Sequence, residues 1–577
     1  PDAIADKTFE EIQTEFSSKK PRYKVHQLSM GVCFNHLSGL PLSAEIYEFK
    51  KTRKEIACLA KKLDIRSGIY ELNEAKELIN KVRSEAVKTI DAMICDFNYP
   101  SLVVLLMKNL ERLMHHVKAD LELIERSVEL DVDYDRSKRY AKIHSDYLSS
   151  HRNYRYLIEK AVQHSLNGRK KPLDSDIKCL LAFADEIHVF YEASDLLHYS
   201  IAPVVLEVSD SYIFRIKDKG EIEGKTSSYV EVLASHQIYN DSSNERILWE
   251  RDELEQYLDK LDSAFNEEFN YTFWNMQDFC DILATWPNFN KTVEVSDLYS
   301  ADETTIIDIC KQHLKKITPA EISGLIQSLT LGQKHMLSIL GAKNDAQDLP
   351  VWEINKRPNR YIVKSLIRIG NNIFWGPYSV DKTQKNWLSR VMNGDMPFDL
   401  QKPKVIDVIE KRKQDIEHKI VEHVFSFVGQ TTSYIEKEVF LHKRDKNAGY
   451  PDDLGDFDVI AFLPEHNVLL NIECKDLTGG YCPKDSKRLR EKLFGNRKGD
   501  GYVGKVEYRE TYLNNNLAKI FKTLNWAINS GETKVISLFV SRSHYYWYLF
   551  PPYQTDVRFV KVSMLKNALD ELSDERK

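Results

Sequence analysis

The chain has 577 residues, of which 42% are hydrophobic and 29% charged, and its formal net charge is −6. That length exceeds what one hydrophobic core serves, so several domains are expected. The charge excludes a polycationic, histone-like binder but not a nucleic-acid enzyme, because a local groove can be basic on an acidic protein.

The eight cysteines, Cys33, Cys58, Cys95, Cys179, Cys280, Cys310, Cys474 and Cys482, are scattered and form no CxxC pair. Their spacing argues against a structural zinc site or a disulfide framework and points to reduced thiols in a cytoplasmic protein. The longest apolar run, SLVVLLM from Ser101, is far short of a membrane span, so no membrane association is expected. No secretory signal is visible, and Pro1 reads as the start of a fragment or processed chain.

From about Leu42 to Leu197 apolar residues recur at three- and four-residue spacing, as in AEIYEFKKTRKEIACLAKKLDI and LVVLLMKNLERLMHHVKADLELIERSVEL. This predicts a helical bundle or solenoid over 1–200, with Asn73 and Ser101 as helix caps, acting as scaffold, dimerisation surface or sensor. Val204 to Ile238 alternates like a hairpin or meander, and a helical pattern returns from about Glu245 to Leu340. These make a mixed segment over 201–345. A β-hairpin turning at GNN and a short helix around Trp387 make a connector over 346–400. The last portion, 401–577, reads as a long helix ending at Gly429, three strands, a helix from Lys505 to Asn529, and two strands from Lys534 and Val557.

Three rival signals carry little. GEIEGKTSS (Gly220 to Ser228) has three residues between its glycines where a phosphate loop needs four, so a polar turn is expected. Arg139 and His144 have a ribonuclease-like Arg-x4-His spacing, but such pairs arise by chance and a solvated helix face is the plainer reading. His115 and His116 are adjacent, hence on different helix faces, and make a poor metal pair.

The informative stretch is GDFDVIAFLPEHNVLLNIECKD, Gly455 to Asp476. Charges inside strands are costly unless solvated, paired or metal-bound. Strand side chains alternate faces, which sets Asp456, Asp458, Ile460 and Phe462 on one face and Asn471, Glu473 and Lys475 together on the next strand. If the PEHN connection is a symmetric turn, opposed residues have numbers summing to 931, so Asp458 faces Glu473 and Asp456 faces Lys475. Two carboxylates that close repel unless a cation sits between them. A hard divalent ion, Mg²⁺ or Mn²⁺, with Lys475 orienting a water, is a device for phosphodiester hydrolysis.

These residues resemble the PD-(D/E)XK superfamily of restriction-endonuclease-like nucleases, and its Mrr-like branch most. The match is FDVIA with Asp458, then IECK with Glu473 and Lys475, and it covers about Pro403 to Val540, a quarter of the chain. No proline precedes Asp458, a departure from the literal motif. The resemblance implies a C-terminal α/β domain with a mixed sheet flanked by helices, within a multidomain α+β chain. It implies a metal held by Asp458, Glu473 and the Cys474 carbonyl, and an upstream helix glutamate, Glu417 or alternatively Glu422. It further implies a DNA endonuclease, DNA being preferred to RNA, in bacterial restriction or anti-phage defence. A homodimer or higher oligomer and accessory defence proteins are conceivable partners. The alternatives are a helical interaction protein with a degenerate nuclease fold, or a ribonuclease.

After the strand pair, Cys482 to Glu510 is locally basic. It is expected to be a loop-rich flap, with Lys484, Lys487, Arg488 and Arg490 contacting phosphates.

Overall fold

The computed structural model describes residues 25–28, 31–34, 39–130, 136–164, 168–199, 204–218, 251–314, 317–337, 348–350, 352, 359–392, 394, 402–477, 483–496, 500–529, 531 and 533–574. The glycine-rich Gly220–Ser228 stretch and the strand expected up to Ile238 lie outside these residues. The fold is mixed α/β, mostly helical, with small antiparallel and mixed sheets. A short antiparallel hairpin, β1 (Val25–Leu28) and β2 (Gly31–Phe34), comes first.

Five helices follow: α1 (Ile46–Lys62), α2 (Leu72–Cys95), α3 (Tyr99–Leu130), α4 (Arg136–His164) and α5 (Asp174–Tyr199). In α2 the buried residues Ala75, Leu78, Ile79, Val82, Ala86, Ile90 and Ile94 repeat at three- and four-residue spacing. That stripe packs on α5, while α3 packs on α4. The expected caps are displaced by two or three residues. Glu71 holds the N-cap position of α2, and the Asn98 Oδ1 accepts the Ser101 N–H at 3.2 Å at the start of α3.

The sheet of β3 (Gly68–Tyr70), β4 (Val204–Val208) and β5 (Phe214–Asp218) closes this bundle. Val204, Leu206, Val208 and Phe214 belong to the same apolar core as α2 and α5. The first core therefore runs past residue 200.

A second core spans Tyr257 to Ile409 and joins the two segments expected on either side of residue 345. Its helices include α6 (Arg251–Phe269), α7 (Phe273–Ala284), α8 (Glu303–His313), α9 (Pro319–Leu329) and α10 (Pro377–Met392). Its sheet is ordered β6 (Tyr299–Asp302), β9 (Asn372–Trp375), β8 (Leu366–Ile369), β7 (Thr330–Leu331). The β8–β9 turn falls at Gly370 and Asn371, as the GNN signal indicates. β6 and β7 were expected to be helical; at four and two residues they are too short to show alternation.

Two buried carboxylates of the first bundle hold the segment 359–380, whose Tyr361 lies in the first core and whose Val363 and Val380 lie in the second. Glu111 of α3 accepts the N–H groups of Tyr378 at 2.7 Å and Ser379 at 3.1 Å, satisfying the open start of α10. Burial nonetheless pushes its carboxyl up to about 8, against the pull of these donors. Glu159 of α4 pairs with Arg360 at 2.6 Å and accepts the Tyr361 N–H at 3.0 Å.

The C-terminal portion is a five-stranded sheet in the order β10 (Ile435–Val439), β11 (Phe457–Leu463), β12 (Val468–Lys475), β13 (Lys534–Ser541), β14 (Arg558–Lys561). β11 runs antiparallel to its neighbours β10 and β12, and β13 runs parallel to its neighbours β12 and β14, so the sheet is mixed. One face packs on α11 (Pro403–Val428) and α14 (Leu565–Asp574). There Val459, Ala461, Leu470, Ile472 and Leu538 meet Ile416, Ile420, Val424, Leu565 and Leu569. The other face sets Ile460, Phe462 and Leu469 against Leu513, Ile520 and Phe521 of α13 (Tyr502–Thr523). Each such buried Leu, Ile or Phe contributes roughly 1.5–3 kcal/mol.

The basic stretch expected as a loop is a helix, α12 (Pro483–Phe494). Pro483 opens it, and Ser486, Leu489 and Leu493 form a narrow buried stripe. It packs on α5 and α13 rather than standing free as a flap. At Gly501, just before α13, a Cβ would lie 2.3 Å from the Leu493 carbonyl oxygen, so only glycine lets the two helices meet there.

Candidate active site

The β11–β12 register pairs Val459 with Ile472, Ile460 with Asn471 and Ala461 with Leu470. Every pair sums to 931, as the symmetric PEHN turn requires. The paired register ends at Val459 opposite Ile472, so the expected Asp458–Glu473 pair lies one step beyond it. There the Asp458 Oδ2 accepts the Cys474 N–H at 2.7 Å, taking the place of a ladder bond.

Lys475 ends β12 and brings the site together. Its Nζ lies 3.1 Å from Glu417 Oε1, 3.2 Å from Glu473 Oε1 and 3.3 Å from Asp458 Oδ2. Three elements thus deliver four expected site residues to one point: α11, β11 and β12. Of the two glutamates considered on α11, Glu417 is the one at the site. Glu422 pairs with Lys437 and His418 elsewhere. The expected Asp456–Lys475 pairing is not formed. Asp456 precedes β11, and Lys475 turns instead to the three buried or half-buried carboxylates.

Burial and charge explain the electrostatics. Asp458 and Glu473 are 7% and 5% exposed. Burial, then the Glu473 charge, pushes the Asp458 carboxyl up to about 7, although Lys475 and the Cys474 N–H pull it down. Burial works against the Lys475 charge, but Glu473, Asp458 and Glu417 outweigh it and hold the ammonium well above the usual lysine range. The Tyr502 ring lies beside this ammonium, with its centroid 5.8 Å from Nζ.

Sequence reasoning missed Arg509. This residue of α13 is 4% exposed and places Nη1 at 2.5 Å from Glu473 Oε2. Its Nε donates to the Leu454 carbonyl at 2.9 Å, and Phe457 lies against the guanidinium. A second pair also went unread: Arg542 grips Asp476 through two bonds of 3.1 Å, next to the Asp476 N–H that points to Glu417 at 3.4 Å.

The backbone beside the site is distorted. The β10–β11 register pairs Lys437 with Val459 and Val439 with Phe457, skipping Glu438, which would face Asp458. Glu438 has φ +52°, a left-handed conformation that is unusual for a side-chain-bearing residue. Its carboxylate turns away to His418 at 3.3 Å.

Among the described residues no group of three or more His, Cys, Asp or Glu side chains is arranged to hold a metal ion by itself. The donor set nevertheless fits a hard cation that keeps most of its water. Asp458 Oδ2 takes both contacts made to that carboxylate, leaving Oδ1 without a hydrogen bond among the described residues. Three carboxylates (Asp458, Glu473, Glu417) face two cations (Lys475, Arg509), so the cluster has room for further positive charge. Mg²⁺ commonly takes one or two carboxylates, with water and phosphate oxygens completing its shell. Cys474 could contribute only through its main chain, because its thiol lies in the apolar core under α11.

The four expected phosphate contacts lie on α12. Lys487 and Arg488 are near Glu491 at 3.8 Å and Asp485 at 3.7 Å, and Arg490 lies over Trp547 with 5.4 Å to the ring centroid. Lys484, Lys487 and Arg488 share one helix face by their spacing; Arg490 does not. Of the rival signals, His115 bonds Tyr378 and His116 faces the Gly39 carbonyl, so the two do not converge. Arg139 is exposed, and the His144 side chain lies outside the described residues. No helix among the described residues is long and apolar enough to cross a membrane.

Comparison with protein-family models, with curated proteins and with solved structures finds no match to this chain.

Proposed function

We propose that the C-terminal portion is a metal-dependent nuclease of the PD-(D/E)XK, restriction-endonuclease-like type, hydrolysing phosphodiester bonds in nucleic acid. DNA is the preferred substrate and RNA the alternative. The observation that carries this reading is the convergence of Asp458, Glu473 and Glu417 on the Lys475 ammonium, at one end of a helix-flanked mixed sheet. A role in bacterial restriction or anti-phage defence follows from the family resemblance alone.

In this mechanism Asp458 and Glu473 would hold Mg²⁺ or Mn²⁺, with the Cys474 carbonyl as a further ligand. The bound ion supplies Lewis acidity toward the phosphate and lowers the pKa of a water. Lys475 orients the attacking water and offsets charge building on the phosphate. Glu417 fixes the Lys475 ammonium through their 3.1 Å contact. The Cys474 N–H fixes Asp458, so the carboxylate enters the reaction already oriented.

One observation favours a second reading, an interaction scaffold with a degenerate nuclease site. Lys475 and Arg509 already neutralise much of the carboxylate charge. The deciding experiment incubates the full chain with plasmid, linear DNA and RNA, in Mg²⁺ or EDTA, beside Asp458→Asn. Metal-dependent cleavage lost in the variant supports the nuclease. Salt-sensitive binding without cleavage supports the scaffold.

A further inference from the structure

Glu473 is the most enclosed carboxylate of the site, and both of its oxygens face cations. Oε1 lies 3.2 Å from the Lys475 ammonium and Oε2 lies 2.5 Å from Arg509 Nη1. Lys475 shares itself among three carboxylates, whereas Arg509 makes its ion pair with Glu473 alone among the described residues. The guanidinium is held from behind. Its Nε–H is fixed on the Leu454 carbonyl, and Phe457 lies against it.

This anchorage reaches both arms of the hairpin at the point where their pairing has ended. Leu454 belongs to the segment that leads into β11, and Glu473 to β12. A planar fork serves both bonds at once, which a lysine ammonium on a flexible stem does poorly.

We propose that Arg509 is a charge lock on the metal site. Its ion pair with Glu473 must open, or yield part of that carboxylate, before a divalent cation binds. Resting on the nuclease reading, the lock makes the free protein a weak metal binder whose affinity is set by a residue outside the motif. The chemistry is competitive: guanidinium and divalent ion seek the same oxygens, and each repels the other across the few ångströms that Glu473 spans. Arg509 is a positioning residue, since it acts on the reaction only through Glu473.

The test is Mn²⁺ binding by calorimetry on the full chain, for the wild type, Arg509→Gln and Arg509→Lys, with cleavage measured in parallel. Arg509→Gln should bind Mn²⁺ at least about tenfold tighter than the wild type, because the competitor is gone. Arg509→Lys should fall between them, because its ammonium makes either the Leu454 or the Glu473 bond but not both. Adding Glu473→Gln to either variant should remove the gain.

Arg509→Gln leaves a buried carboxylate with less compensation; where that variant does not fold without metal, Arg509→Lys decides. A folded Lys or Gln variant that binds Mn²⁺ no tighter than the wild type overturns the lock. The two readings also separate. Tighter Mn²⁺ binding without wild-type cleavage keeps the lock and removes the nuclease. Wild-type cleavage with unchanged Mn²⁺ affinity in both variants removes the lock and keeps the nuclease.

Discussion

Replacing Lys475 with Met removes one ammonium from three carboxylates at 3.1–3.3 Å while keeping the apolar stem. At an effective dielectric of about 20, each pair at such a distance attracts by about 5 kcal/mol before desolvation. Burying the ammonium offsets several kcal/mol of that total. Protonation limits the rest. Asp458 already sits at about 7, so without Lys475 it takes up a proton near neutrality at little cost. The net loss should resemble other broken buried pairs, about 3–5 kcal/mol. That is well above the 0–1 kcal/mol of an exposed bridge to Asp456. For a domain of roughly 150–250 residues it lowers Tm by about 6–20 °C. Saturating Mn²⁺ should restore much of this, because the ion replaces the missing positive charge between Asp458 and Glu473. Single-turnover cleavage at the same Mn²⁺ should still be about 100- to 1000-fold slower, the usual cost of a lost positioned catalytic group. Melting curves with and without Mn²⁺, beside the single-turnover rate, check all three figures. A Tm within about 2 °C of the parent would refute the buried network, and a rate within about threefold would refute the water-orienting role.

Asp458→Asn should abolish cleavage and leave a folded chain, since it relieves carboxylate repulsion, whereas Glu473→Gln should abolish cleavage and also destabilise the chain by about 3–5 kcal/mol, because it strips the buried Arg509 of its ion pair; circular dichroism, urea unfolding and a plasmid assay read both. On α12, changing Lys484, Lys487 and Arg488 together to Ala should lower the salt slope of nucleic-acid binding by about three units, one per lost phosphate contact. Arg490→Ala should leave that slope alone and cost about 0.5–1 kcal/mol through the lost Trp547 contact, read by urea unfolding. Where α10 meets α4, burial and the Arg155 charge lower the Lys382 ammonium from 10.5 to about 8. The folded value lies below the unfolded one, so the unfolded chain binds more protons between about 8 and 10.5, and stability rises with pH across that window. Below it the whole penalty, up to about 3 kcal/mol, applies. Lys382→Met should therefore stabilise the protein at neutral pH and lose that advantage as pH rises through the window; urea unfolding at about pH 7 and about pH 10 measures the difference.

The strand pair was legible because its signal is local. Alternation fixed the faces of β11 and β12, and the four-residue connection fixed the register, down to Val459 opposite Ile472. What lay beyond the last pair was not local. Lys475 chose its partners beyond the paired register, so extrapolating that register to Asp456 failed. Glu417 and Glu422 stand five residues apart on one helix, and only the angle of α11 to the sheet selects between them. Arg509 is one basic residue in a helix of ordinary composition. Its role arises from the packing of α13 across β12, a contact between residues 36 apart in sequence. The α12 helix was legible and misread: Pro483 at its start and the spacing of Ser486, Leu489 and Leu493 are helix signals that its charge obscured.

Glu417 also belongs to two parts of the molecule at once. The N-terminal half of α11 lends Val405 and Ile409 to the second core, and the C-terminal half lends Ile416, Ile420 and Val424 to the sheet. Between them Arg412 is buried, lies 4.6 Å from the Tyr257 ring centroid, and reaches the Met392 carbonyl at 3.5 Å at the end of α10. On the sheet side of that anchor, Lys419 pairs with Glu253 of α6 at 2.6 Å. Glu417 lies between these two ties. An α-helix rises about 1.5 Å per residue and bends little without a proline, so movement of α6 and α10 relative to the sheet reaches Glu417 almost undiminished. Because Glu417 holds Lys475, and Lys475 holds both strand carboxylates, the geometry proposed for hydrolysis depends on the second core as well as on the strands that carry the motif.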